Sequence, residues 1–488
     1  MGSLPLELLP PASVFRPVRF TKIVATIGPA SEDRVGELID AGLSVARLNF
    51  SHGTPEEHQR RAEKIRQAAR ARMTSVAILA DLPGPKMRLG RFAGGRLMLS
   101  EGEQYVLREG ARMSAPGEVC IDVPGALEAL AVGHRVLLAD GQATVEVLSV
   151  EGDFARGIVV RAGEIADRKG VHLPDSPVRY ELPTAEDRKW IEVAREIGVD
   201  MLGISFVGRA SELEEIRGLA PGLQLVSKIE RKAALENLDQ ILSATDGVMV
   251  ARGDLGVELD IEELPLRQKE ILDRAVRAGR FTITATEMLE SMIEHSRPTR
   301  AEVTDVANAV LDGTDAVMLS AETAVGKYPV EAVRTMARVA RAAESSPRYA
   351  DRPRYRASQE ASHFSSATCV AAAHVSGQLE GARIVCFSET GNTVRLLSHL
   401  RPGVEIIGLS PNPATVRALN VLAHVRPVLF RREPTLEDML ETAAELLLAR
   451  RIVRRDDPIV FVAGVPPGVA RSTNVVKLHR VGEEVLLR

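Results

Sequence analysis

Aromatic residues are scarce in this sequence: they make up 3% of 488 residues, and tryptophan occurs once. So thin a supply argues against a surface that stacks nucleic-acid bases. No excess of one charge replaces it. The formal net charge is −4 and the pI about 6.3, so no basic field marks a nucleic-acid partner. Long apolar runs are also missing, and none reaches the ~18 residues a membrane helix needs. Cysteine is limited to Cys120, Cys369 and Cys386, far apart in sequence. The odd count and the lack of CxxC spacing argue against a disulfide framework or a zinc site. A cytoplasmic, reducing compartment fits, with the three thiols as small buried hydrophobes. The first twenty residues, Met1 to Phe20, carry Leu-Pro pairs without a charged start and a long apolar run. They are expected to form an irregular arm rather than a signal peptide.

What is present is globular. The hydrophobic share is 45% and the charged share 26%. This length predicts about two to four domains. Short apolar runs recur at Lys22–Ile27, Val45–Leu48, Val76–Ala80, Met201–Ile204, Leu223–Val226, Gly247–Val250, Phe281–Ala285 and Ala316–Leu319. Each reads as a buried parallel strand. Helical patterns separate most of them, at Pro55–Arg72, Ala185–Ile197, Ser211–Gly218 and Leu266–Ala278. Strand and helix in alternation, eight times over, predict a closed (β/α)₈ TIM barrel of class α/β.

The rhythm breaks between Arg88 and Pro183. Short alternating runs with glycine turns take over, at Arg96–Leu99, Glu103–Val106, Arg135–Ala139, Ala143–Ser149 and Gly157–Arg161. They predict a small all-β domain, a β-barrel, inserted after the third strand. After about Pro353 comes a doubly wound α/β pattern. It has strands at Ile384–Phe387, at Ile406–Leu409 and near Val460 and Val475, and helices at Thr393–His399 and Ala414–Val421. The expected division is an arm at 1–18, a barrel at 19–88 and 184–352, an insertion at 89–183 and a C-terminal domain at 353–488.

Barrel enzymes place reactive groups at the C-terminal ends of strands. Strand two runs into Arg47, Asn49 and Ser51, which share one face. Read alone, Arg47 suits a surface salt bridge first and a phosphate or carboxylate ligand second. Strand three runs into Asp81, either a cation ligand or a cap, then the rigid turn Pro83-Gly84-Pro85. Strand five delivers Lys228 and Glu230 on one face, as a structural ion pair or as a phosphate-facing ammonium beside a metal-holding carboxylate. Strand six delivers Gly253 and Asp254, with a helix expected to start near Asp260–Leu264. Asp254 reads as a cap or as a second oxygen ligand for Mg²⁺. Strand seven delivers Thr286, structural or a hydroxyl at the mouth. Together they suit phosphoryl transfer, where catalysis is mainly positioning and charge stabilisation.

With these segments in order, the chain resembles pyruvate kinases from about Lys22 to Arg488. The resemblance rests on TKIVATIGPAS, VARLNFSHG, DLPGPKMR, KGVHLP, SKIE, MVARGDLGVE, ATEMLESM and the run RPTRAEVTDVANAVLDGTDAVMLSAETAVGKYPVEAV. SETGNTVRLLSHLRP and AGVP follow in the last domain. It implies transfer of the phosphoryl group of phosphoenolpyruvate to ADP, giving pyruvate and ATP. Lys228 would stabilise the phosphoryl group in flight, and Arg47 would hold the substrate phosphate. Gly253, Asp254 and Thr286 would hold its carboxylate, with Thr286 also in the proton relay. Glu230 and Asp254 would bind Mg²⁺ or Mn²⁺. Asn49, His52, Arg88 and Lys169 match nucleotide positions, and the insertion would close as a lid. Homotetramers are usual in the family.

Many members need K⁺, and the matching positions here are Asn49, Ser51, Asp81 and the carbonyl of Leu82. Lys86 stands where K⁺-dependent members resemble Gly-Pro-Glu, and Leu82 and Leu89 stand where they have threonine. The Lys86 ammonium is expected to supply that charge, so K⁺ is not required. Glu287, His172, Gly208 and Ala321 also depart from the pattern. In the last domain, Ser388, Thr390, Gly391, Asn392 and Thr393 lie between a strand and a helix. They are an ordinary helix start or, by resemblance, the loop that takes the phosphate of an effector. Two rival readings are a barrel lyase acting on the same substrates and a non-catalytic paralogue. Arg88, Lys169 and the insertion count against the first; intact Lys228, Glu230 and Asp254 count against the second.

Overall fold

The computed structural model describes residues 19–122, 125–176, 178, 180–353, 363–465 and 473–484. The expected arm at 1–18 and the proline that ends AGVP lie outside them. Eight parallel strands close into a barrel: Lys22–Thr26, Val45–Asn49, Ala77–Asp81, Met201–Ile204, Gln224–Ile229, Gly247–Ala251, Phe281–Ala285 and Ala316–Leu319. The eighth pairs with the first, Lys22 opposite Ala316, which removes the last free edge.

Alternation along each strand divides the side chains between two cores. Ile23, Ala25, Leu48, Ile78 and Leu202 face the surrounding helices. Val24, Val45, Leu79, Met201, Val226, Met249 and Ile283 fill the interior. Both faces are buried, so the strands read as continuous apolar runs rather than alternating ones. A Cβ at Gly247 would meet the Phe281 ring at 2.3 Å, so the interior has no room there for a larger residue. Threonines at 54, 184 and 299 cap three of the outer helices through reciprocal bonds with an acid three residues on.

One helix differs from expectation. Helix Arg252–Glu258 begins directly after strand six, and a second begins at Leu264. Two glycines, Gly253 and Gly256, gave no helical periodicity to read in the first of these. Asp254 therefore lies in a helix's first turn.

The insertion is all-β. Its strands pair as a six-stranded sheet in the order Val171–His172, Arg135–Leu138, Ala143–Glu151, Phe154–Arg161, Gln104–Glu109, Glu118–Ile121. Arg96–Leu99 and Gly163–Ala166 form a separate two-stranded sheet. The segment Met87–Gly90 bonds to both outer strands of the larger sheet: Val171 donates to the Met87 carbonyl and Arg88 bridges Gly170, while Leu89 bridges Ile121 and Gly90 donates to the Cys120 carbonyl. Arg231 holds the returning chain to the barrel. Its guanidinium lies 4.1 Å from the Tyr180 ring centroid and donates to the Val178 carbonyl.

The C-terminal domain has five strands in the order Val425–Leu429, Ile406–Ser410, Arg383–Phe387, Pro458–Gly464, Thr473–Arg480, the last antiparallel. Its core is continuous with the barrel interior. Strand Val425–Leu429 and helix Leu436–Ala449 had no place in the sequence reading. The strand is short and half exposed, and Pro427 interrupts its pattern.

Candidate active site

The interior faces of the strands become polar at their C-terminal ends. Val45 is followed on the same face by Arg47, Leu79 by Asp81, and Val226 by Lys228 and then Glu230. The two-residue period of a strand brings these side chains to one mouth. Arg47 pairs with Asp81 at 2.6 Å. Lys228 Nζ lies 2.8 Å from Glu230 Oε1 and 3.4 Å from Asp81 Oδ1, and donates to Ser205 Oγ at 2.8 Å. Ser205 in turn donates to the Leu82 carbonyl at 2.8 Å.

Asp81 and Glu230 are each only 1% exposed. Burial works to neutralise Lys228, but the Asp81 and Glu230 carboxylates overcome it and hold its pKa well above the ordinary lysine value. Burial and the charge of Asp254 push Glu230 upward, against the pull of Lys228. For Asp81 the opposing burial is outweighed by Lys228 and Arg47, and the carboxyl stays below its usual range.

Asp81 Oδ1 and Glu230 Oε1 are buried, and the cation facing both is the Lys228 ammonium, at 3.4 and 2.8 Å. Glu230 Oε2 is fixed by the Phe206 amide at 2.7 Å, so Oε1 is held in place as well. A buried anionic oxygen without a hydrogen bond is costly unless a cation completes it. Lys228 meets that need at Glu230 Oε1, and the same fixed carboxylate is the kind of hard oxygen donor that a divalent ion takes. Among the described residues no group of three or more His, Cys, Asp and Glu is placed to hold a metal alone. A site of two carboxylates relies on substrate and water for its other ligands, as Mg²⁺ sites commonly do.

Lys86 reaches across the cleft. Its ammonium lies 3.2 Å from Asp254 Oδ1 and 3.5 Å from Asp140 Oδ1 of the insertion. Burial opposes its charge, but Asp254 and Asp140 raise its pKa above the ordinary value. The cations found on Asp81 are Arg47 and Lys228, so Lys86 takes up a different place from the Asn49–Ser51–Asp81–Leu82 set. His172, 3% exposed, stands 3.7 Å from Asp140 and 3.9 Å from Asp254. His172 and Lys86 hold Asp140 below the usual carboxylate range despite burial.

Thr286 sits beside strand six: its hydroxyl accepts from the Gly253 amide at 2.9 Å and donates to the Ala285 carbonyl at 2.7 Å. Asn49 accepts from the Ser51 amide at 3.2 Å; Ser51 and His52 are exposed in the following turn. Arg88 and Lys169 meet at the stem of the insertion, where Arg88 bridges Gly170 and the Lys169 carbonyl accepts from Leu89. In the last domain, Ser388 Oγ accepts from Gly391 N at 3.0 Å, Gly391 is left-handed at φ 83°, and Thr390 and Asn392 are exposed. Thr393 turns inward, its hydroxyl bonded to that of Thr473 at 2.7 Å.

Sequence reasoning missed Ser205 and Thr26, which accepts from Arg47 at 2.9 Å. The signal for Ser205 was available, since it follows strand four directly. Asp140 had none, because only folding of the insertion brings it to the cleft.

Fold and site together define a three-part (β/α)₈-barrel protein whose mouth gathers buried cations and carboxylates. The family model "Pyruvate kinase, barrel domain" matches residues 18–333, and "Pyruvate kinase, alpha/beta domain" matches 366–479. The chain is 40% identical over 474 residues to the pyruvate kinase of Geobacillus stearothermophilus, covering 95% of this chain and 81% of that one. It is 39% identical over 473 residues to the pyruvate kinase of Mycobacterium tuberculosis (strain ATCC 25618 / H37Rv), covering 95% and 98%. The chain belongs to the pyruvate kinase family and is a phosphotransferase.

Proposed function

We propose that this chain catalyses transfer of the phosphoryl group of phosphoenolpyruvate to ADP, giving pyruvate and ATP. The observation that carries the reading is the Lys228 ammonium, held at 2.8 Å from Glu230 and kept charged by Asp81. A fixed cation in a water-poor cleft stabilises charge on a phosphoryl group as its bond to the enolate oxygen breaks and its bond to ADP forms. Arg47 orients the substrate phosphate. The Gly253 and Asp254 amides and the Thr286 hydroxyl orient the carboxylate, and Thr286 helps bring a proton to the enolate. When bound at Glu230 and Asp254, Mg²⁺ or Mn²⁺ supplies positive charge for the substrate's oxygens. Asn49, His52, Arg88 and Lys169 hold the nucleotide, and the insertion covers the cleft and excludes water.

The reaction does not need K⁺ on this reading. Lys86 gives the cleft a permanent cation, and the Leu82 carbonyl already accepts from Ser205. The exposed Thr390 and Asn392 fit an effector phosphate on the C-terminal domain of a homotetramer. Three free, buried cysteines fit a cytoplasmic protein.

The test is pyruvate release from phosphoenolpyruvate, ADP and Mg²⁺, run in K⁺ and again in a bulky organic cation. ADP-dependent release in both buffers is the expected result. Release in K⁺ alone removes the role given to Lys86. Release without ADP, or none at all, removes the kinase reading.

A further inference from the structure

The turn after strand seven holds two successive residues in the left-handed region, Thr286 at φ 66° and Glu287 at φ 54°. Threonine is branched at Cβ and crowds its own backbone there. Such a conformation persists only where neighbours impose it. The neighbour is Arg252, the first residue of helix Arg252–Glu258, itself only 8% exposed. Its Nε donates to the carbonyls of Ala285 and Thr286 at 3.2 Å each. One terminal nitrogen donates to the Thr286 carbonyl at 2.5 Å, and the other pairs with Asp305 at 2.6 Å. The Gly253 amide, one residue on, donates to the Thr286 hydroxyl at 2.9 Å. Adjacent residues of one helix start therefore grip Thr286 at both its carbonyl and its hydroxyl.

We propose that Arg252 is a positioning residue: it holds the strained turn so that the Thr286 hydroxyl stays at the mouth beside Gly253 and Asp254. It acts through Thr286 and does not touch substrate. The planar guanidinium is what the task requires, because one rigid fork reaches two backbone carbonyls and the Asp305 carboxylate together. A lysine keeps the charge and the Asp305 pair but not the paired carbonyls. The inference rests on the reading that the Thr286 hydroxyl holds the substrate carboxylate.

The test is a double-mutant cycle on the full chain, using Arg252→Lys, Thr286→Ala and their combination, with KM and kcat measured separately for phosphoenolpyruvate and ADP. Arg252→Lys is expected to lower kcat/KM for phosphoenolpyruvate about 10- to 100-fold, the range for a lost hydrogen bond to a charged group. KM for ADP is expected to stay within about threefold, and Arg252→Lys to cost less than about threefold in the Thr286→Ala background. Losses that multiply in the double variant, or an equal rise in both KM values, would mark a general structural role and overturn the proposal. Wild-type kinetics in Arg252→Lys alone would overturn it and leave Thr286 its role. Wild-type kinetics in Thr286→Ala would overturn both. Asp305→Asn, which loosens the guanidinium without removing it, is the second variant should Arg252→Lys not fold. It is expected to show the same coupling to Thr286→Ala at smaller size, and additive losses there would count equally against the proposal.

Discussion

Both ends of the barrel bury a carboxylate beside a cation, and the two ends treat it differently. At the floor, Asp315 is 0% exposed and pairs with Arg401 at 2.6 Å. Both its oxygens are bonded, one also by the Ala423 amide and the other by the Thr282 amide and hydroxyl. Arg401 also donates to the Gly313 carbonyl, which ties the last domain to the barrel. At the mouth, Asp81 and Glu230 are as deeply buried, yet one oxygen of each is met by the shared Lys228 ammonium rather than by a backbone donor. A buried pair tied down by backbone donors holds structure together, whereas carboxylates that share one side-chain ammonium can exchange it for something that arrives.

If that contrast is right, the two ends fail in different ways when altered. Lys228→Met at the mouth is expected to reduce kcat about 10³- to 10⁵-fold with an unchanged unfolding transition. A loss below about tenfold would remove the role. At the floor, Arg401→Met leaves Asp315 charged and alone. It is expected to cost about 3–5 kcal/mol of stability in denaturant unfolding, while the folded enzyme keeps its kcat. A floor variant that folds well but turns over slowly would break the comparison.

Acid sharpens it further. Burial pushes His399, beside Asp315 and Arg401, down to about 4, against the opposing pull of Asp315. The unfolded chain then binds more protons than the folded one between about pH 6.5 and about pH 4. Stability is therefore full above that window and is lost as pH falls through it, by up to about 1.4 kcal/mol per pH unit. His399→Asn should flatten the dependence without abolishing it, because His424, also pushed well below its ordinary value, titrates from the same side. An unchanged slope in His399→Asn would place the acid sensitivity elsewhere.

Much of the mouth was legible because a strand has a period of two. Arg47, Asp81, Lys228 and Glu230 sit on interior-facing positions that follow apolar ones, so strand phase and strand end were enough to assemble them. Helix Arg252–Glu258 was not legible, since its glycines hide a helical pattern. Arg252 was therefore passed over, although its contacts fix the turn after strand seven. The way Met87–Gly90 joins the two outer strands of the insertion was equally hidden, because alternation reveals strands but not which edges meet.

By itself the sequence determined the barrel, the order of its strands and the residue types that crown them. These follow from local periodicity, and local periodicity is written residue by residue. Tertiary structure alone decided where Lys86 points, that Asp140 and His172 come to the cleft, and that Thr393 turns away from solvent. Those outcomes depend on contacts between segments far apart in the chain, fixed only once burial has chosen which charges must share the same small space.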